Sequence, residues 1–212
     1  LEDVATKTLE KCMKKKLQVA NLKNMRLAEL PVDMEQMIPL LGSVREMDLS
    51  KNQLFTIKPV FNLLSKLVNI RSISITENFL NGAMPPSVGA LVNLEELYLD
   101  VNRVTKLPAE VGEWSKLKII SMADNALIEL PDEVKQWKEL VSIDMRNNKI
   151  ASIEAFVEHW IKAEKFNFSA NLIKVIPESI SNCEQLRVMD FSANTIAEIP
   201  ESMAMLGKLE VL

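Results

Sequence analysis

One histidine, His159, and two cysteines, Cys12 and Cys183, are the whole stock of imidazole and thiol ligands in this chain of 212 residues. A structural zinc site wants four protein ligands and a catalytic one three, commonly Cys and His at short spacing. These three stand far apart in the sequence, so no metal centre is expected. His159 precedes Trp160 directly and is expected to face solvent rather than to act as ligand or base. No Gly-x-Ser-x-Gly elbow occurs, and no Gly-x-x-x-x-Gly-Lys phosphate loop; Gly207-Lys208 lacks the upstream glycine. Carboxylates are plentiful, 29 Asp and Glu against 25 Lys and Arg. A catalytic carboxyl needs burial to tune its pKa, and the pattern described next puts these on an open, solvated sheet. The expectation is a chain with no catalytic residue, no cofactor and no metal.

The elements that position every side chain follow from two ladders. Trp114, Trp137 and Trp160 are spaced 23 apart, and the same step lands on Cys183 and Leu206. Asn102, Asn125, Asn148, Asn171 and Asn194 run beside them with the same spacing of 23. A shared period of this length marks one supersecondary unit stacked on copies of itself. In register the unit reads Leu-x-x-Leu-x-Leu-x-x-Asn-x-Leu, then Leu and usually Pro. Leu94, Leu97, Leu99, Asn102, Val104, Leu107 and Pro108 form one copy; Leu117, Ile120, Met122, Asn125, Leu127, Leu130 and Pro131 form the next. The first unit has Met25 where the others have Asn.

Leu-x-Leu alternation sends every second side chain to one face, as in a strand. Strands are therefore expected to begin near residues 17, 44, 70, 94, 117, 140, 163 and 186. The Asn follows the strand where the chain turns. Turning backbone near a core leaves costly unpaired groups, and an amide side chain carries both donor and acceptor to satisfy them. The Leu-Pro step opens a return limb, because proline fixes φ in a way that suits a helical first turn. The tryptophans fall on that limb and are expected to face the core.

The pattern resembles the leucine-rich-repeat family in its typical intracellular class of 23 residues per repeat. It is similar to short cytoplasmic leucine-rich-repeat proteins and to Ras-group scaffold repeats. The resemblance covers residues 17–212, with eight near-complete units and a ninth opening at Leu209. It implies an α/β fold: a curved solenoid with a parallel sheet on the concave face and 3₁₀ or helical return limbs. Secreted members usually carry cysteine-rich caps, and none is seen here. Two units depart from the period, with 26 residues from Val44 to Ile70 and 24 from Ile70 to Leu94. The second contains Leu80-Asn81-Gly82-Ala83-Met84-Pro85, which is similar to the plant-type repeat and is read as a local variation in the return limb.

Residues 1–16 lie outside the repeat. Leu1, Val4, Ala5, Thr8, Leu9, Cys12 and Met13 recur at helical spacing, which predicts an amphipathic helix capping the first strand. Lys14-Lys15-Lys16 suits its C-terminal end. At the other end Leu212 falls mid-strand in the ninth unit, so a longer chain, a disordered remainder or a docked partner is expected there. A formal net charge of −4 and a pI near 5.3 argue against a nucleic-acid or anionic-membrane partner. No apolar run approaches the roughly 20 residues of a membrane span. Two distant cysteines point to the cytoplasm.

What remains is a surface, and the function expected is non-catalytic binding of a protein partner, with no small-molecule substrate. Tyr98, Val101, Ile119 and Ala123 are expected to form an apolar patch on the concave face, with Asp100, Asp124, Asp144 and Arg146 around it. An aromatic with an apolar floor and a charged rim is the anatomy of a protein-binding hot spot. A competing flank surface carries Phe55, Phe79, Ile128, Leu172 and Val175. Two alternatives stay open: a structural subunit docked through its C-terminal edge, or a targeting domain of a larger enzyme such as a ligase or kinase.

Overall fold

The structure, a computed structural model, describes residues 2–211; Leu1 and Leu212, and the expectations placed on them, lie outside the described residues. Helix α1 (Glu2–Lys15) comes first. Its buried residues are Ala5, Leu9 and Cys12, one stripe of spacing four and three. Val4, expected inward, is exposed, because it lies one residue, about 100° of helical rotation, off that stripe. The Cys12 thiol donates to the Val19 carbonyl at 3.5 Å. Lys14 and Lys15 close the last turn, and Lys16 leaves the helix at φ 50°.

Ten short strands follow. They are β1 (Val19–Asn21), β2 (Glu46–Asp48), β3 (Ser72–Ser74), β4 (Asn81–Ala83), β5 (Glu96–Tyr98), β6 (Arg103–Lys106), β7 (Ile119–Ser121), β8 (Ser142–Asp144), β9 (Lys165–Asn167) and β10 (Val188–Asp190). Eight of them, all but β4 and β6, form one parallel sheet in chain order. Each starts two residues after the position expected. The reason is visible at Leu94, Leu117 and Leu140: these leading residues donate to Leu91, Trp114 and Trp137 carbonyls and close the preceding turn. The middle residue of every strand points inward, so Ala20, Met47, Ile73, Leu97, Ile120, Ile143, Phe166 and Met189 are buried in one wall.

The asparagine ladder satisfies the turning backbone as expected. Asn148 Nδ2 donates to the carbonyls of Met122 (2.9 Å) and Met145 (3.0 Å), while its Oδ1 accepts from the Leu127 amide at 2.9 Å. Asn102, Asn125 and Asn171 make the same links one unit away. In the first unit Met25 has no preceding repeat to serve; its own amide donates to Asn52 Oδ1 at 2.9 Å. The residue before each Asn is left-handed: Lys51, Glu77, Val101, Asp124, Asn147, Ala170 and Ala193 all have φ between 52° and 58°.

On the return limbs Pro85, Pro108, Pro131, Pro177 and Pro200 stand immediately before 3₁₀ turns of five residues. Where Glu154 stands at the proline position the turn shrinks to Val157–His159. The three tryptophans are fully buried and stacked, with centroids 6.1 and 6.2 Å apart. Their Nε1 atoms donate to the carbonyls of Val88, Val111 and Val134 at 2.8–2.9 Å. Cys183 continues the column, donating to the Val157 carbonyl at 3.3 Å; burial pushes its thiol pKa up to about 12.

The first three units exceed the period, the first of them with 27 residues from Leu17 to Val44. Between the first two sheet strands the chain makes a short helix, α2 (Met34–Met37), and in the second unit α3 (Ile57–Leu64) takes the place of the 3₁₀ turn. In the third unit, β4 pairs with β6 in a second, two-stranded parallel sheet on the flank, and Gly82 sits there at φ 97°. The result is a curved leucine-rich-repeat solenoid.

Candidate binding surface

Strand β5 holds Tyr98 between Ser74 of β3 and Ser121 of β7. Serines on both sides leave the ring half exposed above the sheet. Its hydroxyl donates to Glu96 Oε2 at 3.3 Å, and burial, then the neighbouring Glu96 and Asp100, raise its pKa. Ile119 pairs with Glu96 and is therefore a diagonal neighbour of Tyr98.

Asp100 Oδ1 accepts from the Ser121 hydroxyl and from the Ala123 amide at 2.8 Å. Asp124 Oδ1 accepts from Asn147 Nδ2 at 2.6 Å. Asp144 receives the Arg146 amide at 3.1 Å and its guanidinium at 2.9 Å. Burial raises the Asp144 pKa most; the Arg146 amide and charge oppose this, and Asp100 and Asp124 add to it. Asp144 thus senses the two aspartates of the preceding rungs.

Two members of the expected patch stand differently. Ala123 is fully buried: its methyl lies in register between the larger Asp100 and Arg146 and presents nothing to a partner. Val101 is 49% exposed but belongs to the left-handed turn after β5, on the rim rather than the floor. Glu96 and Ser121 emerge as neighbours that the sequence reading left outside the site. Strand register, which puts Glu96 beside Ile119 and Ser121 beside Tyr98, was the signal for them.

On the flank, Phe55, Phe79, Ile128, Leu172 and Val175 are exposed. The Arg103 guanidinium lies 5.9 Å from the Phe79 ring centroid. A groove of about 420 Å³ on the same side of the first two units is lined by Leu30, Pro31, Val32, Pro59 and Leu63, with Glu35 and Lys66 paired at its edge. Among the described residues no group of three His, Cys, Asp or Glu is placed to hold a metal ion, and no helix is long and apolar enough to cross a membrane.

No protein-family model matches the sequence, and no curated protein matches it. Solved structures do. A leucine-rich-repeat protein of Leptospira interrogans superposes with a TM-score of 0.79 at 26% identity, over 96% of this chain and 56% of that one. Internalin C2 of Listeria monocytogenes gives 0.82 at 15% identity, over 100% of this chain and 91% of that one. The plant peptide hormone receptor RGFR1, solved in complex with RGF2, gives 0.76 at 23% identity, over 84% of this chain and 29% of that one. The chain thus spans about half the length of the Leptospira protein. Its ladders, its continuous parallel sheet and these likenesses together show the leucine-rich-repeat fold.

Proposed function

We propose that the chain is a non-catalytic interaction module that binds a protein partner through its concave sheet face, with Tyr98 as anchor. The observation that carries this is Val101. A β-branched residue at φ 56° is an outlier that costs about 1–2 kcal/mol, and with its side chain 49% exposed packing offsets little of that cost. Of the equivalent positions, Asp124 and Asn147 carry residue types that tolerate this backbone, while Lys51, Glu77, Ala170 and Ala193 share the strain but none of them is β-branched. Strain kept where it does not serve packing marks a functional surface. Val101, Tyr98 and Ile119 supply apolar area; Asp100, Asp124, Asp144 and Arg146 supply orientation. The strands hold these groups at fixed spacing, which lowers the ordering entropy of binding.

In this reading residues 1–16 cap the solenoid of residues 17–212. The acidic balance of −4 disfavours nucleic acid and anionic membrane as partners. Both cysteines are free, in keeping with a cytoplasmic home. The likeness to a receptor solved with a peptide hormone supports a protein or peptide ligand. The experiment is affinity capture with wild type and Tyr98→Ala, mass-spectrometric identification, and titration of the purified partner. Tyr98→Ala should weaken binding about thirtyfold, the effect of losing a central aromatic anchor, with the fold intact. If Tyr98→Ala and Arg146→Ala bind like wild type while Phe55→Ala/Phe79→Ala does not, the flank is the site.

A further inference from the structure

We propose that the segment this face receives is basic and extended, seating an arginine or lysine over Tyr98 among the carboxylates of Glu96, Asp100 and Asp144. This rests on the concave-face reading and adds the chemistry of the partner.

Its ground is the uneven pairing of charge. Along the edge leading into the strands, carboxylates have cations: Lys118 lies 2.7 Å from Glu95, Lys162 lies 2.7 Å from Glu139, and Arg187 pairs with Glu210. On the central concave face, among the described residues, Glu96, Asp100, Asp124 and Asp144 have one paired cation, Arg146, 2.9 Å from Asp144, while Lys165, exposed on β9 and diagonal to Asp144, is paired with none of them. The contacts to Asp100 and Asp124 come from neutral groups, the Ser121 hydroxyl, the Ala123 amide and the Asn147 side chain. Four carboxylates against Arg146 and the neighbouring Lys165 leave the patch net negative.

The patch does not suit an inorganic cation, since among the described residues no three carboxylates converge as metal ligands. They are spread over three successive rungs about 4.8 Å apart, a span that roughly three residues of an extended peptide cross at about 3.3 Å each. Tyr98 gives the cation a ring face, flanked by small Ser74 and Ser121, and a guanidinium within about 6 Å of such a ring is attracted to it. Arginine stacks and forks to a carboxylate at once. A new cation would favour the charged form of Asp144, which burial and the neighbouring aspartates disfavour.

Fluorescein-labelled peptides of four Gly-Ser-Arg repeats, with Gly-Ser-Gln and Gly-Ser-Glu counterparts, test this by anisotropy titration at low salt. The arginine peptide should bind, weakening as salt screens the charges, and the other two should not. Asp124→Asn/Asp144→Asn, which keeps one acceptor oxygen on each side chain, should weaken it about tenfold or more. Tyr98→Ala should weaken it too, and Tyr98→Phe should not. The control Asp132→Asn/Glu201→Gln removes the same charge from exposed return-limb positions and should bind like wild type; equal loss there would overturn the proposal in favour of net charge alone. If the glutamine peptide binds as well as the arginine one and both need Tyr98, the concave reading stands and the basic partner falls. If the arginine peptide binds indifferently to every concave substitution, both fall. Failure of the arginine peptide to bind overturns the basic partner.

Discussion

The spine of the return limbs and the concave face belong to the same repeats, yet they follow opposite rules. Inside, Trp114, Trp137 and Trp160 repeat one residue, one stacking distance and one hydrogen bond. Outside, the rungs beside Tyr98 carry Ser121, Asp144 and Asn167. A buried position must fill the hole its neighbour leaves, so identical units demand identical residues. An exposed position answers to nothing within the chain. Function is therefore read where the repeats disagree, and stability where they agree.

The comparison breaks most directly at the spine. Trp137→Ala removes a buried indole stacked on both sides and should cost roughly 3–5 kcal/mol, measured by urea unfolding. A loss below about 1 kcal/mol would mean that the spine is not what holds these units together. Asn148→Ala comes next. It orphans the Leu127 amide and the Met122 and Met145 carbonyls, each buried polar group carrying a penalty of about 1–3 kcal/mol; partial rescue by water leaves an expected loss of about 2–4 kcal/mol. Hydrogen exchange should localise the damage to the fifth and sixth units.

On the concave side the sign reverses. Val101→Asn relieves left-handed strain and should stabilise by about 1 kcal/mol, raising Tm while weakening the partner. Destabilisation by Val101→Asn would show that the valine packs rather than waits for a ligand. The smallest effect belongs to Asp144→Asn. Because burial and its neighbours raise the folded-state pKa of Asp144, its ionised form opposes folding at neutral pH. Asp144→Asn should therefore unfold at slightly higher temperature than wild type near neutral pH. That advantage should shrink as pH falls through the raised pKa toward the ordinary 3.8, where the wild-type carboxyl is protonated as well. Parallel melting curves across that range would sink the assignment of Asp144 as a strained carboxylate.

The period alone was enough to place the buried tryptophans, the asparagine links and the eight-stranded sheet. A residue that recurs every 23 positions must meet its own copy, and stacked copies have few ways to pack. Cys183 and Leu206, unlike tryptophan in size, still fell on the buried column by phase. Phase did not decide exposure on the open face. Ala123 shares its column with Asp100 and Arg146, and only the lengths of those neighbours bury it. Nor did it decide backbone conformation: nothing in the identity of Val101 announces φ 56°, which the turn imposes on every unit whatever residue stands there. Val4 and the β4–β6 pair belong with these. Their placement depends on how an irregular segment docks on its neighbours, a matter of three-dimensional fit that a one-dimensional period does not carry.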